Sequence, residues 1–319
     1  MNNTYMPKVY RDQGGNRQVI GPGGTLLMEP GSFIQWANPT GAADYFVDLN
    51  VSATGEGTLQ DPFATIAEAI TASNTSIGLT ANRWWARRNR IFVMGDGIDE
   101  DLTVLPEKCD IIGIGSDLVP YPRVIGHHTI AAAKVGCRFI NMGFTADGAG
   151  DLFAIPAGCH GLQFLGGMMQ ASAAGNTKAL EITDSALVVV QGVNIVQNPG
   201  AYGTGIFGIG VSIEGTASNH QTIIDGNRIN ATVGVKVVAS APAYDSYISN
   251  NFIHSVSYWV DDDSDQFHVI NNRAITDIDT STSTAGYDFN IKLASGNLQT
   301  GSQGGGACDT VPFTLIAEG

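Results

Sequence analysis

The chain has 319 residues, 43% of them apolar and 14% charged, with 40 glycines that follow no collagen period. That is enough apolar residue for one large elongated domain with small ends. A net charge of −14 repels the phosphate backbone and excludes a chain whose main task is binding DNA or RNA.

Gly, Ser, Thr, Asn, Val and Ile dominate, which favours strands and turns over helices. Met1 to Val9 is polar, with one basic residue and no apolar stretch of the secretory kind. No apolar run reaches the ~18 residues that span a bilayer. Synthesis in a cytoplasm and no membrane partner are expected. Cys109, Cys137, Cys159 and Cys308 lie too far apart for a zinc knuckle or a CxxC pair. Buried free thiols are expected, with no metal and no cofactor.

Residues 1–43 are expected to form an anchoring arm and linker. Within 11–36, Val19-Ile20, Leu26-Leu27 and Phe33-Ile34 recur every seven residues. Gly21, Pro22, Gly23, Gly24, Pro30 and Gly31 fill the gaps, so a coiled coil is excluded. Short strands separated by tight turns are expected. Each is too short to bury a face alone, so Val19, Ile20, Leu26, Leu27, Phe33 and Ile34 need neighbours from other chains. Val9 to Gly15, followed by Gln18-Val19-Ile20, resembles the opening of phage head and tail proteins that carry β-roll leaders.

From Tyr45 the pattern changes. Phe46 and Val47 begin a strand, and a polar, Gly-rich loop follows. Asp61 and Pro62 suit a helix N-cap and first helical residue. Phe63, Ile66, Ala69 and Ile70 then form one apolar stripe. A short helix of this kind would cover the open end of a β-solenoid. Arg90 to Val93 reads as a strand, Gly95-Asp96-Gly97 as a turn, and Leu102 to Val104 as a strand. Asp110 to Ser116 then leads to Pro122-Arg123-Val124-Ile125-Gly126. This order resembles the entry and first two coils of pectin-lyase-like proteins. The resemblance implies an all-β, right-handed parallel β-helix over residues 44–290, with a short N-terminal cap helix and a β-roll arm before it.

Beyond residue 130, coils of roughly 20 to 25 residues are expected. Gly136-Cys137-Arg138-Phe139 aligns with Gly158-Cys159, and Leu187 to Ile195 is the next repeat. Ile223 to Ile229, Tyr247 to Ile253 and Val269 to Ile275 repeat more clearly, each with an asparagine at a bend: Asn227, Asn251 and Asn272. Stacked amides and a left-handed bend account for them. Residues 291–319 read as a Gly-rich segment and a terminal strand.

No catalytic residue is assigned. The acids Asp225, Asp261-Asp262-Asp263, Asp265 and Asp277 are candidates for a hydrolase pair, with the 261–265 run read as a solvated loop. Lys134, Arg138, Lys178, Arg228, Lys236 and Arg273 are scattered, although Arg228 and Arg273 occupy equivalent places in separate coils. His127 and His128 should face opposite sides of a strand. Arg83, Trp84, Trp85, Arg87, Arg88 and Arg90 cluster. They suit a docking patch or the hinge between the cap helix and the first coil.

The resemblance implies a structural phage virion protein: a homotrimeric decoration or cement protein on the capsid surface that stabilises the head. The major capsid protein would be its partner. A tailspike that binds and cleaves a surface glycan is the alternative.

Overall fold

The computed structural model describes residues 9–11, 18–20, 42–78, 87–95, 97–115, 122–201, 205–217, 219–238, 245–262, 267–274, 277–279, 287–294 and 297–303. Two compact units, residues 1–38 and 39–319, divide the chain. In the first, Val9–Arg11 pairs antiparallel with Gln18–Ile20, Tyr10 facing Val19. Of the six expected arm residues, Val19 and Ile20 therefore lie in a strand; Leu26, Leu27, Phe33 and Ile34 lie outside the described residues.

The second unit is a parallel β-helix. The first sheet stacks Asp44–Asp48, Asn89–Met94, Cys109–Gly113, Arg138–Ile140, Gln163–Leu165, Val189–Gln191, Ile223–Asp225, Ser246–Ser249 and Phe267–Ile270. The second runs from Ile98–Asp99 through Arg123–Ile125 to the start of Phe252–Asp262 and Arg273–Ala274. The third begins at His128–Thr129 and Phe153–Ile155 and ends at Asp277–Asp279.

Strand alternation sends every second residue inward. Parallel register then stacks like upon like. Ile91, Ile111, Phe139, Phe164, Val190, Ile224, Ile248 and Val269 form one buried column. Val124, Phe144, Met169, Ile195, Ile229 and Ile253 form a second. The third is Phe153, Leu180, Val211, Val235 and Val260, headed by His128. Full burial of each large apolar side chain contributes about 1.5–3 kcal/mol.

The cap helix covers Ile66–Gly78 and buries Ile66, Ala69, Ile70, Ser73 and Ile77. It starts later than expected, and Asp61 is not its cap. The Asp61 carboxylate accepts the Glu56 N–H at 3.1 Å and closes the preceding loop. Thr65 and Glu68 form a capping box: the Thr65 N–H donates to Glu68 at 3.1 Å and the Glu68 N–H to Thr65 Oγ1 at 3.3 Å. Glu100, from the first coil, accepts the N–H groups of Ile66 and Ala67 at 2.9 and 2.6 Å. A cap supplied thirty-four residues away has no local signal.

Three further readings change. Phe139 pairs with Phe164, so Gly136 aligns with Gly161 and Cys137 with Leu162, rather than with Gly158 and Cys159. The coil from Val189 to Ile223 is longer than the expected 20 to 25 residues, because extra residues join Asn194–Val196 to Phe207–Glu214. The boundary expected at 290/291 falls inside Tyr287–Ala294, which pairs antiparallel with Asn297–Gln303. The expected strand Val311 to Ile316 lies outside the described residues.

The asparagine bend divides into two roles. Asn227, Asn251 and Asn272 are buried. Asn251 Oδ1 accepts the Asn227 N–H and side chain at 2.9 and 3.0 Å. Asn272 Oδ1 does the same for Asn251, at 2.9 Å each. The left-handed residues are their neighbours, Gly226, Asn250 and Asn271, at φ of 64°, 55° and 52°.

Candidate functional site

Residues that face outward from the first sheet also stack in register. One such column reads Asp44, Arg90, Asp110, Arg138, Gln163, Val189, Ile223, Tyr247, His268. Its two halves differ in chemistry.

The N-terminal half is charged and paired within the chain. Arg90 grips Asp44 through two bonds, at 2.8 and 2.7 Å. Asp110 receives Arg138 twice at 2.6 Å and Arg88 at 2.7 Å. Arg88 also donates to the Gly136 carbonyl at 2.9 Å. Arg87 donates to the Ser76 carbonyl at 2.9 Å and hydroxyl at 2.7 Å. Arg87 thus ties the cap helix to the first coils, and Arg88 and Arg90 tie neighbouring coils to each other. Arg83, Trp84 and Trp85 lie outside the described residues.

The second half is uncharged from Gln163 to Tyr247 and aliphatic at Val189 and Ile223. Ile223 is 37% exposed and Tyr247 40%. Leu187, beside Val189, is 52% exposed. A cleft of about 650 Å³ follows this stripe, lined by Gln163, Leu187, Val189, Gln221, Ile223, Asp245 and Tyr247, with Gly161. The Tyr247 ring stacks on His268 at 5.3 Å.

Leu187 has a left-handed backbone, φ 60°. The equivalent places in the other coils, Lys108, Gly136, Gly161, Gln221 and Asp245, are also left-handed, at φ 46°, 73°, 69°, 57° and 57°. Glycine adopts this conformation without cost, whereas a Cβ makes it unfavourable by roughly 1–2 kcal/mol. Leucine here is both strained and half exposed. The strain belongs to a bend that successive coils share; the exposure of a leucine at that bend is what suits a side chain placed for contact. The signal was present in the sequence. Leu187-Val188-Val189-Val190 and Ile223-Ile224 are apolar at both strand parities, while one parity suffices for the core.

Of the candidate acids whose side chains are described, Asp225 and Asp261 do not converge. Asp225 lies on the first sheet, and Asp261, paired with Lys236 at 2.5 Å, lies on the third. Asp225 accepts hydrogen bonds from Asn250, Ser249 and Gln191 at 2.7, 2.8 and 3.0 Å. Burial opposes its ionisation, but these donors prevail and hold its carboxyl below the ordinary range. Asp261 and Asp262 belong to the strand Phe252–Asp262 rather than to the expected loop, and Asp277 lies in Asp277–Asp279; Asp263 and Asp265 are outside the described residues.

A further charged group, not anticipated, sits on the third sheet. Lys178 bridges Glu181 and Glu214, and Ser212 donates to Glu214 at 2.9 Å. For Glu214, burial is outweighed by Lys178 and Ser212, which hold its carboxyl low. Both glutamates are thereby fixed as partners of one lysine. Nearby Asp151 keeps one buried carboxyl oxygen without a partner, and burial raises its pKa.

His127 and His128 do point apart: His127 meets Asp147 at 3.0 Å, and His128 is fully buried. Cys109, Cys137 and Cys159 are buried free thiols, and burial pushes Cys109 up to about 12. Among the described residues, no three His, Cys, Asp or Glu side chains group as metal ligands. Comparison with protein-family models, with curated proteins and with solved structures finds no match for this chain.

Proposed function

We propose that this chain is a structural virion protein: a homotrimeric β-helix on a phage capsid surface, made in the host cytoplasm. Residues 1–43 would anchor it to the major capsid protein. The observation that carries the self-association is the column of half-buried Val189 and exposed Ile223 and Tyr247, with exposed Leu187 beside it. Along a threefold axis each residue meets its own copies. Like charges oppose that meeting and apolar side chains favour it. The stripe is uncharged over successive coils, and the charged half of the same column is neutralised within the chain. A rigid solenoid with interlocked coils also suits a load-bearing coat component.

The virion assignment rests on the leader and β-helix resemblances in the sequence. Light scattering on the purified full-length protein should give three times the chain mass. Val189→Asp combined with Ile223→Asp should give monomers that keep the parental circular dichroism spectrum and melt lower by the stabilisation that assembly supplied. A monomeric parent protein at micromolar concentration, or an unaffected trimer in the double variant, would overturn the interface. Cryo-electron microscopy of particles from producing cells should place the protein on heads; density on tails would overturn the capsid assignment.

The cleft itself favours a second reading. An exposed Tyr247 ring beside Gln221 and Asp245, with Gln163 three rungs along the same cleft, is a combination that holds a sugar. A tailspike that binds and cleaves a surface glycan would release oligosaccharides from host polysaccharide. A capsid decoration protein would not.

A further inference from the structure

The outer face of the second sheet carries a column of different character. Asn194, Arg228, Phe252 and Arg273 lie in register on successive rungs. The last three are exposed, Phe252 at 39%. Rungs are ~4.8 Å apart, so the two arginines straddle the phenyl ring across roughly 10 Å. Asn230 and His254 face outward beside them.

Two facts set this column apart. Five other cationic side chains on the coils are ion-paired within the chain: Arg88 and Arg138 share Asp110, Arg90 meets Asp44, Lys178 meets two glutamates, and Lys236 meets Asp261. Arg228 and Arg273 make no ion pair or side-chain hydrogen bond with a described residue. The column is also held rigidly. Each of its three exposed residues directly follows a ladder asparagine, and the N–H groups of Phe252 and Arg273 donate to the Asn227 and Asn251 carbonyls at 2.8 Å. Unpaired cations around an exposed ring, on a chain of net charge −14, call for an anionic ligand with an apolar face.

We propose that this face binds an acidic glycan, carboxylated or sulfated, laid across the rungs along the solenoid. The guanidinium forks suit carboxylate or sulfate oxygens. The phenyl ring offers a surface to the C–H face of a sugar. Asn230 and His254 supply hydrogen-bonding groups for hydroxyls. The acidity of the remaining chain repels a long polyanion of either kind and confines binding to a short segment at this patch. The proposal does not rest on the trimer, whose interface would use a different sheet.

Titration calorimetry on the full-length protein tests it. The probes are a heparin-derived tetrasaccharide and a tetragalacturonate, set against neutral maltotetraose, poly-glutamate and an oligothymidylate. At least one acidic sugar should bind, more weakly as salt rises, and the neutral sugar should not. Arg228→Gln with Arg273→Gln should weaken binding at least tenfold. Phe252→Ala should weaken it several-fold with the salt dependence unchanged. All three positions are exposed, so circular dichroism should give parental melting curves for these variants. Absence of binding by both acidic sugars would overturn the proposal, as would parental affinity in the double variant. Equal affinity for poly-glutamate or oligothymidylate would reduce the site to an unselective anion patch and also overturn it.

Discussion

The main-chain N–H of Leu102 donates to Nδ1 of His128 at 3.1 Å, inside the solenoid. His128 occupies the place in its column that Phe153, Leu180 and Val211 take in later coils. Its ring meets Phe153 at 4.5 Å and Phe144 edge-on at 5.2 Å. Because Nδ1 accepts, the neutral ring carries its proton on Nε2, which is buried without a hydrogen-bond partner. A coil that needs a buried acceptor for Leu102 therefore contains a group that must stay uncharged.

Acid should loosen these coils before carboxylate titration explains it. Burial, helped slightly by His127 and opposed by Asp101, lowers the His128 pKa from 6.5 to about 3. A depressed pKa means stability that is full above pH 6.5 and lost as pH falls toward 3. The whole shift corresponds to about 5 kcal/mol, of which roughly 2 kcal/mol is gone by pH 5. Urea midpoints at pH 7.5 and 5 should therefore fall for the parent chain. His128→Leu should be less stable at pH 7.5, because the Leu102 N–H loses its acceptor, and should lose less on acidification. An equal acid response in both proteins would refute the role given to this ring.

The amide ladder predicts unequal effects at adjacent asparagines. Asn251→Ala removes the acceptor of the Asn227 N–H and the donor to the Ile224 carbonyl at 2.9 Å. Both groups are buried, so a loss of about 3 kcal/mol or more is expected. Asn250→Gly keeps the left-handed bend and loses only exposed side-chain bonds to Asp225 and Asn271, so it should cost under about 1 kcal/mol. Denaturant curves on the two variants check the contrast.

Ile253→Asp should unfold its coil. Ile253 is 0% exposed and stacks on Ile229 in the second inward column. A carboxylate there has no partner, and a loss above about 4 kcal/mol is expected. A normal melting temperature would refute the register.

Leu187→Gly should act in opposite directions on the chain and on its assembly. Glycine relieves the left-handed strain, so the monomer should gain about 0.5–1 kcal/mol in chemical denaturation. The same change removes an exposed apolar contact, so dissociation of the assembly on dilution should come at higher protein concentration. Parallel gains in both measurements would count against Leu187 as a contact residue.

Much of the fold was legible in the residue order, and the reasons are local. Inward columns follow from strand alternation, as in Ile223-Ile224 and Ile248. The asparagine positions follow from the need to close each bend. Errors arose where the determining partner was distant. Glu100 caps a helix that Asp61 was expected to begin. The Cys137 alignment failed because a similar Gly-Cys pair recurs three places away from the register that the Phe139–Phe164 pairing sets.

By itself, then, the sequence determined repeating coils, their inward apolar faces and their stacked asparagines, while a resemblance implied that the coils form a parallel β-helix. Those depend on periodicity and on turn chemistry within single coils. Only the tertiary structure decided that Leu187, Val189, Ile223 and Tyr247 line one cleft, whereas the shared face of Arg228 and Arg273 already followed from their places after the ladder asparagines, and the register sets Phe252 between them. Outer columns bring together residues separated by coils of unequal length, thirty-four residues from Val189 to Ile223 and twenty-four from Ile223 to Tyr247. The hydrogen-bonded register between rungs sets which of them meet, and no single coil contains that information.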